Sequence, residues 1–140
     1  MKIGQLPIIF TLLLITALAH NCTSQTEAPD LVLEDIGVQQ AVDLIKSNQG
    51  DQDFIIVDVR TREEFNEGHI ENAVNIDFRS ETFKEDLDKL DKNKAYFIYC
   101  RSGNRSGRAM PIMKELGFKE VYNLSPGIKG WLAKGLPVVQ

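Results

Sequence analysis

Cys100 stands at the head of the run Cys100-Arg101-Ser102-Gly103-Asn104-Arg105-Ser106, directly after the apolar segment Tyr96-Phe97-Ile98-Tyr99. A thiol attacks as its thiolate, and thiolates are stabilised by backbone N–H groups, cationic side chains and helix N-termini. This stretch offers all three. The apolar segment reads as a buried strand and the residues through Leu116 read as a helix, so the sulfur falls at a strand's C-terminal end and faces a helix N-terminus. Four residues separate Cys100 from Arg105, and a loop of that length can curl so that successive N–H groups point at the sulfur. Gly103 permits a backbone angle that is costly for other residues. Arg101 and Arg105 add positive charge. Comparable surroundings bring cysteine pKa values from about 8.5 to about 3.5–7.5, so no histidine base is required. Ser102, Asn104 and Ser106 are expected to act through backbone N–H groups and local hydrogen bonds, with little dependence on side-chain identity.

The elements that hold this loop are readable on either side. Leu31-Val32-Leu33 is a short β-type run, and a helix from about Val38 to Ser47 places Val38, Ala41, Val42, Leu44 and Ile45 on one side. Phe54 to Asp58 is a continuous apolar run of the kind buried on both faces of a parallel sheet. Thr61-Arg62-Glu63-Glu64 has the capping-box pattern and starts a short helix that ends at Gly68. Ala73 to Ile76 is a short strand, and Thr82 to Glu85 repeats the capping-box pattern ahead of Leu87 and Leu90. The helix after the cysteine loop buries Ala109, Ile112, Met113 and Leu116 and closes at Gly117. Pro111 either falls in its first turn or bends it. Glu120 to Leu124 is the last strand, and Ser125-Pro126-Gly127 leads into a short helix anchored by Trp131. Strands alternating with helices imply an α/β fold with a mainly parallel sheet and helices on both faces. Ligands of such sheets sit at the carboxyl ends of the strands, where Cys100 falls.

Taken in order, the motifs of residues 31–140 resemble those of the single-domain rhodaneses, a family of sulfurtransferases. The matching pieces are Asp58-Val59-Arg60 with Glu63-Glu64-Phe65, Gly68-His69-Ile70 with Ala73 and Asn75, the Cys100-to-Ser106 loop, Leu116-Gly117-Phe118, Gly127-Ile128 with Gly130-Trp131, and Gly135-Leu136-Pro137. The resemblance implies a rhodanese-like α/β fold with a five-stranded central sheet, and a ping-pong reaction. The Cys100 thiolate takes the outer sulfur of a donor such as thiosulfate, releases sulfite, and passes the sulfur from its persulfide to cyanide, a thiol or a thioredoxin-type protein. Arg101 and Arg105 are suited to holding an anionic donor, although Arg105 could instead pin the loop. Asp58, Arg60 and His69 belong to the family pattern as supporting residues, with Asp58 and Arg60 tying neighbouring strand ends. The implied chemistry needs no metal or organic cofactor. Two rival readings stand beside it. Related cysteine phosphatases and arsenate reductases place five residues between cysteine and arginine, whereas here the sixth position after Cys100 is Ser106 and the shorter loop suits sulfur. Rhodanese-like domains also serve as noncatalytic binding modules, typically without the cysteine that this chain keeps.

The 140 residues leave room for one domain, and 43% hydrophobic with 26% charged residues excludes disorder of the whole chain. Residues 1–21 carry one charge, Lys2, and an apolar core from Leu6 to Leu18, the pattern of a secretory signal rather than a full membrane span. Ala19-His20-Asn21-Cys22 resembles the lipobox of bacterial lipoproteins, with His20 and Asn21 in place of the usual small residues. It implies lipidation of Cys22, a linker through Asp30, and a lipid-anchored protein of the periplasm or cell envelope. A plain cleaved signal and an uncleaved anchor are the alternatives. With Cys22 lipidated, Cys100 is the one thiol left free, and a lone free thiol in an oxidising compartment points to use. The net charge of −4 excludes nonspecific nucleic-acid binding. His69 is the only histidine after the signal, which excludes a multi-histidine metal site. A monomer is the default expectation.

Overall fold

The computed structural model describes residues 31–140. The expected signal segment at residues 1–21, the lipidation of Cys22 and the linker to Asp30 lie outside the described residues. Five strands, β1 (Val32–Ile36), β2 (Phe54–Asp58), β3 (Val74–Asn75), β4 (Ala95–Tyr99) and β5 (Glu120–Leu124), form one parallel sheet in the order β1-β5-β4-β2-β3. The central position of β4 follows from its composition, because a strand whose residues from Tyr96 to Tyr99 are all bulky and apolar must be covered on both faces. Tyr96, Ile98 and Cys100 point to one side, against α3 (Phe83–Asp88) and α4 (Asn104–Glu115). Phe97 and Tyr99 point to the other, against α1 (Val38–Ser47) and α5 (Gly127–Ala133). The period-2 alternation of a strand thus assigns Cys100 to the α4 side.

Several boundaries differ from the sequence reading for local reasons. Strand β1 runs on to Ile36 through the exposed Glu34 and Asp35, which an edge strand tolerates because it pairs only with β5. The capping box at Thr61 forms as expected: its hydroxyl accepts from the Glu64 N–H, and the Glu64 carboxylate accepts from the Thr61 N–H. The one expected at Thr82 does not form. The Thr82 hydroxyl donates instead to Asp86 at 2.7 Å, and α3 begins without a side-chain cap. Pro111 lies in the interior of α4, exposed, where the helix forgoes the bond from residue 111 to the Gly107 carbonyl.

Asp58 and Arg60 form an ion pair in the interior at the end of β2, with residue exposures of 0% and 6%. Arg60 Nε reaches both carboxylate oxygens, and its Nη2 donates to Asp58 Oδ2 and to the Gly68 carbonyl, each at 2.7 Å. Asn75 on β3 donates from Nδ2 to the Asp58 and Arg60 carbonyls. These bonds tie the ends of β2 and β3 to the turn after α2 (Arg62–Asn66). Replacing Asp58 by Ala strands a buried guanidinium and should cost about 3–5 kcal/mol in urea unfolding. The double variant Asp58→Ala/Arg60→Met removes both charges and should lose markedly less. An equal loss in the two variants would show that the pair is not what holds this corner.

Candidate active site

Strand β4 delivers Cys100 to the bottom of a loop that ends in the first turn of α4. Gly103 takes φ +84° as the residue before α4, and a Cβ placed on it would stand 1.9 Å from the Ser125 carbonyl oxygen. The close approach of the Ser125 backbone and the left-handed angle both require glycine there. Behind the loop, the N–H groups of Ile128 and Lys129 donate to the Cys100 and Arg101 carbonyls at 2.9 and 3.1 Å. Gly127, at φ +61°, lets α5 come this near, since a Cβ would meet Ser102 N at 2.4 Å. The loop is therefore clamped from outside, and its own N–H groups are left facing inward.

The Cys100 residue is 1% exposed. Burial alone pushes a thiol pKa up. Here the Ser106 hydroxyl, donating to Sγ at 3.4 Å, and the backbone N–H groups of Ser106, Ser102 and Arg105 outweigh that penalty and bring the pKa below the ordinary value. Ser106 is itself 0% exposed. Its side chain is thus part of the sulfur's environment, through a local hydrogen bond of the kind expected of it. Ser102 acts through its N–H, and the exposed Asn104 lines the pocket above the sulfur.

The two loop arginines have different tasks. Arg105 forms a bidentate pair with Glu64, Nη1 to Oε2 at 2.6 Å and Nη2 to Oε1 at 2.8 Å. Since Glu64 also closes the Thr61 capping box, Arg105 pins the loop to the start of α2. Of the two roles open to Arg105 in the sequence, the structure shows the pinning one. Arg101 is exposed, forms no ion pair with the described residues, and lines a pocket of about 580 Å³ above Cys100. Thr61, Glu64, Phe78, Arg79 and Arg108 also line it. Glu64 was read in the sequence as a capping-box residue and part of a family motif, not as part of the pocket, and Phe78, Arg79 and Arg108 carry no sequence pattern, because they are brought in by long-range packing. His69 is not in the pocket. Its ring stacks on Phe65 at 3.7 Å between centroids, its Nδ1 lies 3.1 Å from the Phe65 carbonyl, and its backbone pairs with Val139. Asp58 and Arg60 likewise lie outside the pocket lining. Among the described residues no group of three His, Cys, Asp or Glu side chains is placed to hold a metal ion.

Residues 41–134 match the family described as the Rhodanese-like domain. The chain belongs to this family. Thiosulfate sulfurtransferase GlpE of Coxiella burnetii is 33% identical over 103 residues, covering 74% of this chain and 91% of that protein. A tRNA uridine(34) hydroxylase of Buchnera aphidicola is 36% identical over 114 residues, and there the chain spans only 35% of the relative's length. A crystal structure of a rhodanese-related protein from Thermoplasma volcanium superposes with a TM-score of 0.65 at 29% identity, covering 76% of this chain and 98% of that one. The rhodanese fold is thus shared with proteins of different overall activity.

The Glu64 carboxyl is held at about 2, chiefly by Arg105, against an ordinary value of 4.5. A carboxyl whose pKa is depressed on folding contributes stability above its ordinary value and loses it as pH falls through the folded one. In urea unfolding, the wild type should therefore lose, between about 4.5 and about 2, a component of stability that Glu64→Gln lacks. Superimposable pH slopes for the two proteins would contradict the pairing.

Proposed function

We propose that this rhodanese-family chain is a sulfurtransferase that moves a sulfane sulfur through a Cys100 persulfide. The observation that carries the reading is the buried Cys100 sulfur with hydrogen-bond donors converging on it and an arginine-lined opening above. With thiosulfate as donor, Sγ attacks the outer sulfur, the donor's S–S bond breaks, and its electron pair leaves with sulfite. The charge of the attacking thiolate passes to the outer sulfur of the new persulfide, about 2.05 Å beyond Sγ. The N–H groups that hold the thiolate are positioned to hold this anion as well, without reorganisation. Arg101 supplies charge at the opening for the departing sulfite. An acceptor thiolate, from a small thiol or a thioredoxin-type protein, then attacks the outer sulfur and returns Cys100 to its thiolate.

The phosphatase reading is disfavoured by a specific contact. A phosphatase loop needs its arginine free to clamp a phosphoryl group, and Arg105 directs both of its terminal nitrogens, Nη1 and Nη2, at Glu64. The binding-module reading is separated by chemistry. After treatment with thiosulfate, intact mass should rise by one sulfur in the wild type and not in Cys100→Ala, with cyanide or a thiol removing the gain. A wild type that takes up no sulfur from thiosulfate and turns over no donor would leave the binding module as the better reading. We further propose export, lipidation at Cys22 and a cell-envelope location, on the strength of residues 1–22. The same mass measurement on protein from the native envelope should show a mature chain starting at a lipid-bearing Cys22. An unmodified Cys22 would contradict it.

A further inference from the structure

The pocket above Cys100 holds more positive charge than a small inorganic anion uses. Arg79, from the segment between β3 and α3, and Arg108, from the second turn of α4, line it together with Arg101. None of the three is ion-paired with a described residue. The one carboxylate in the lining, Glu64, is taken by Arg105 and the Thr61 N–H. On a chain of net charge −4, this is a local concentration of unneutralised guanidinium groups. Their positions are built rather than incidental. Phe78 packs edge-on against the buried Phe83 with centroids 5.0 Å apart, and its N–H donates to the Val59 carbonyl, which seats the neighbouring Arg79. The Arg79 N–H donates to Asp77 Oδ1 at 2.8 Å, a bond that shapes the turn carrying its side chain. The Arg108 guanidinium lies over the Phe78 ring at 5.2 Å, a cation–π contact that leaves its edge N–H groups for a ligand. A volume of about 580 Å³ lies in the range of sites for whole organic molecules, about 300–1,000 Å³.

We infer that Arg79 and Arg108 are specificity-determining residues for an organic persulfide donor whose body carries more than one anionic group. This rests on the sulfur-transfer reading above and names its substrate class. The terminal sulfur of the donor reaches Cys100 while anionic groups on its body meet Arg79 and Arg108 on the pocket lining. Sγ attacks that terminal sulfur, the Sγ–S bond forms and the donor's S–S bond breaks. The electron pair leaves on the inner sulfur as a thiolate, and the proton of a protonated donor stays on the transferred sulfur. No oxidant or reductant is consumed.

The test compares kcat/KM of the full chain for three donors: glutathione persulfide, 2-hydroxyethyl persulfide with its uncharged body, and thiosulfate. The wild type should prefer glutathione persulfide over the uncharged persulfide by about tenfold or more, a size consistent with charge-assisted bidentate contacts. Arg79→Gln/Arg108→Gln should lose most of that preference, and Arg79→Lys/Arg108→Lys, which keeps the charge, should retain part of it. A preference that survives in the glutamine variant, or a loss of equal size for all three donors, overturns the inference. So does equal behaviour of the lysine and glutamine variants. A wild type active on thiosulfate but indifferent to the persulfide's charge removes this inference alone. A wild type that accepts sulfur from no donor removes the sulfur-transfer reading with it.

Discussion

A sulfur anion buried to 1% exposure is tenable only if hydrogen-bond donors replace the water it has lost. That requirement organises the whole carboxyl end of the sheet. The loop must turn its N–H groups inward, so its carbonyls at Cys100 and Arg101 point outward and need donors of their own, which α5 supplies through Ile128 and Lys129. For α5 and the Ser125 backbone to approach so closely, positions 103 and 127 must be glycine. The bidentate Arg105–Glu64 pair then fastens the loop's far end to α2. The Asp58–Arg60 pair in turn fastens the end of β2 to the turn that follows α2.

The same arrangement divides the site's positive charge by purpose. Arg105 is neutralised and serves as a structural tie, while Arg101, Arg79 and Arg108 face the pocket without carboxylate partners. Near Cys100 the stabilising donors are backbone N–H groups and one hydroxyl, whose orientation is fixed by the loop. The remaining positive charge of the lining comes from the exposed guanidinium groups of Arg79, Arg101 and Arg108.

Much of this was legible in the sequence where local rules govern. The apolar run at β4, the capping box at Thr61 and the helical spacing of Ala109 and Met113 each constrain a few neighbouring residues, and each formed as read. Thr82 shares the capping pattern but lost its cap to Asp86, one residue beyond the position the pattern names. What stayed hidden is contact between distant segments. Arg105 gave no sign of its partner 41 residues away, Phe78 and Arg79 belong to an irregular connection, and Arg108 differs from any surface arginine only by the ring beneath it. Ser106 was visible as a loop residue, yet its burial and the direction of its hydroxyl depend on how α4 packs over β4.

Donors converging on Cys100, the Ser106 hydroxyl among them, bring the pKa of its thiol below the ordinary value despite burial. The pH dependence of Cys100 alkylation by iodoacetamide, a neutral reagent, tests it most directly. The midpoint should lie below that of an unperturbed cysteine, about 8.5, and should move to higher pH in Ser106→Ala. A wild-type midpoint at or above the ordinary value, unmoved by the substitution, would contradict it.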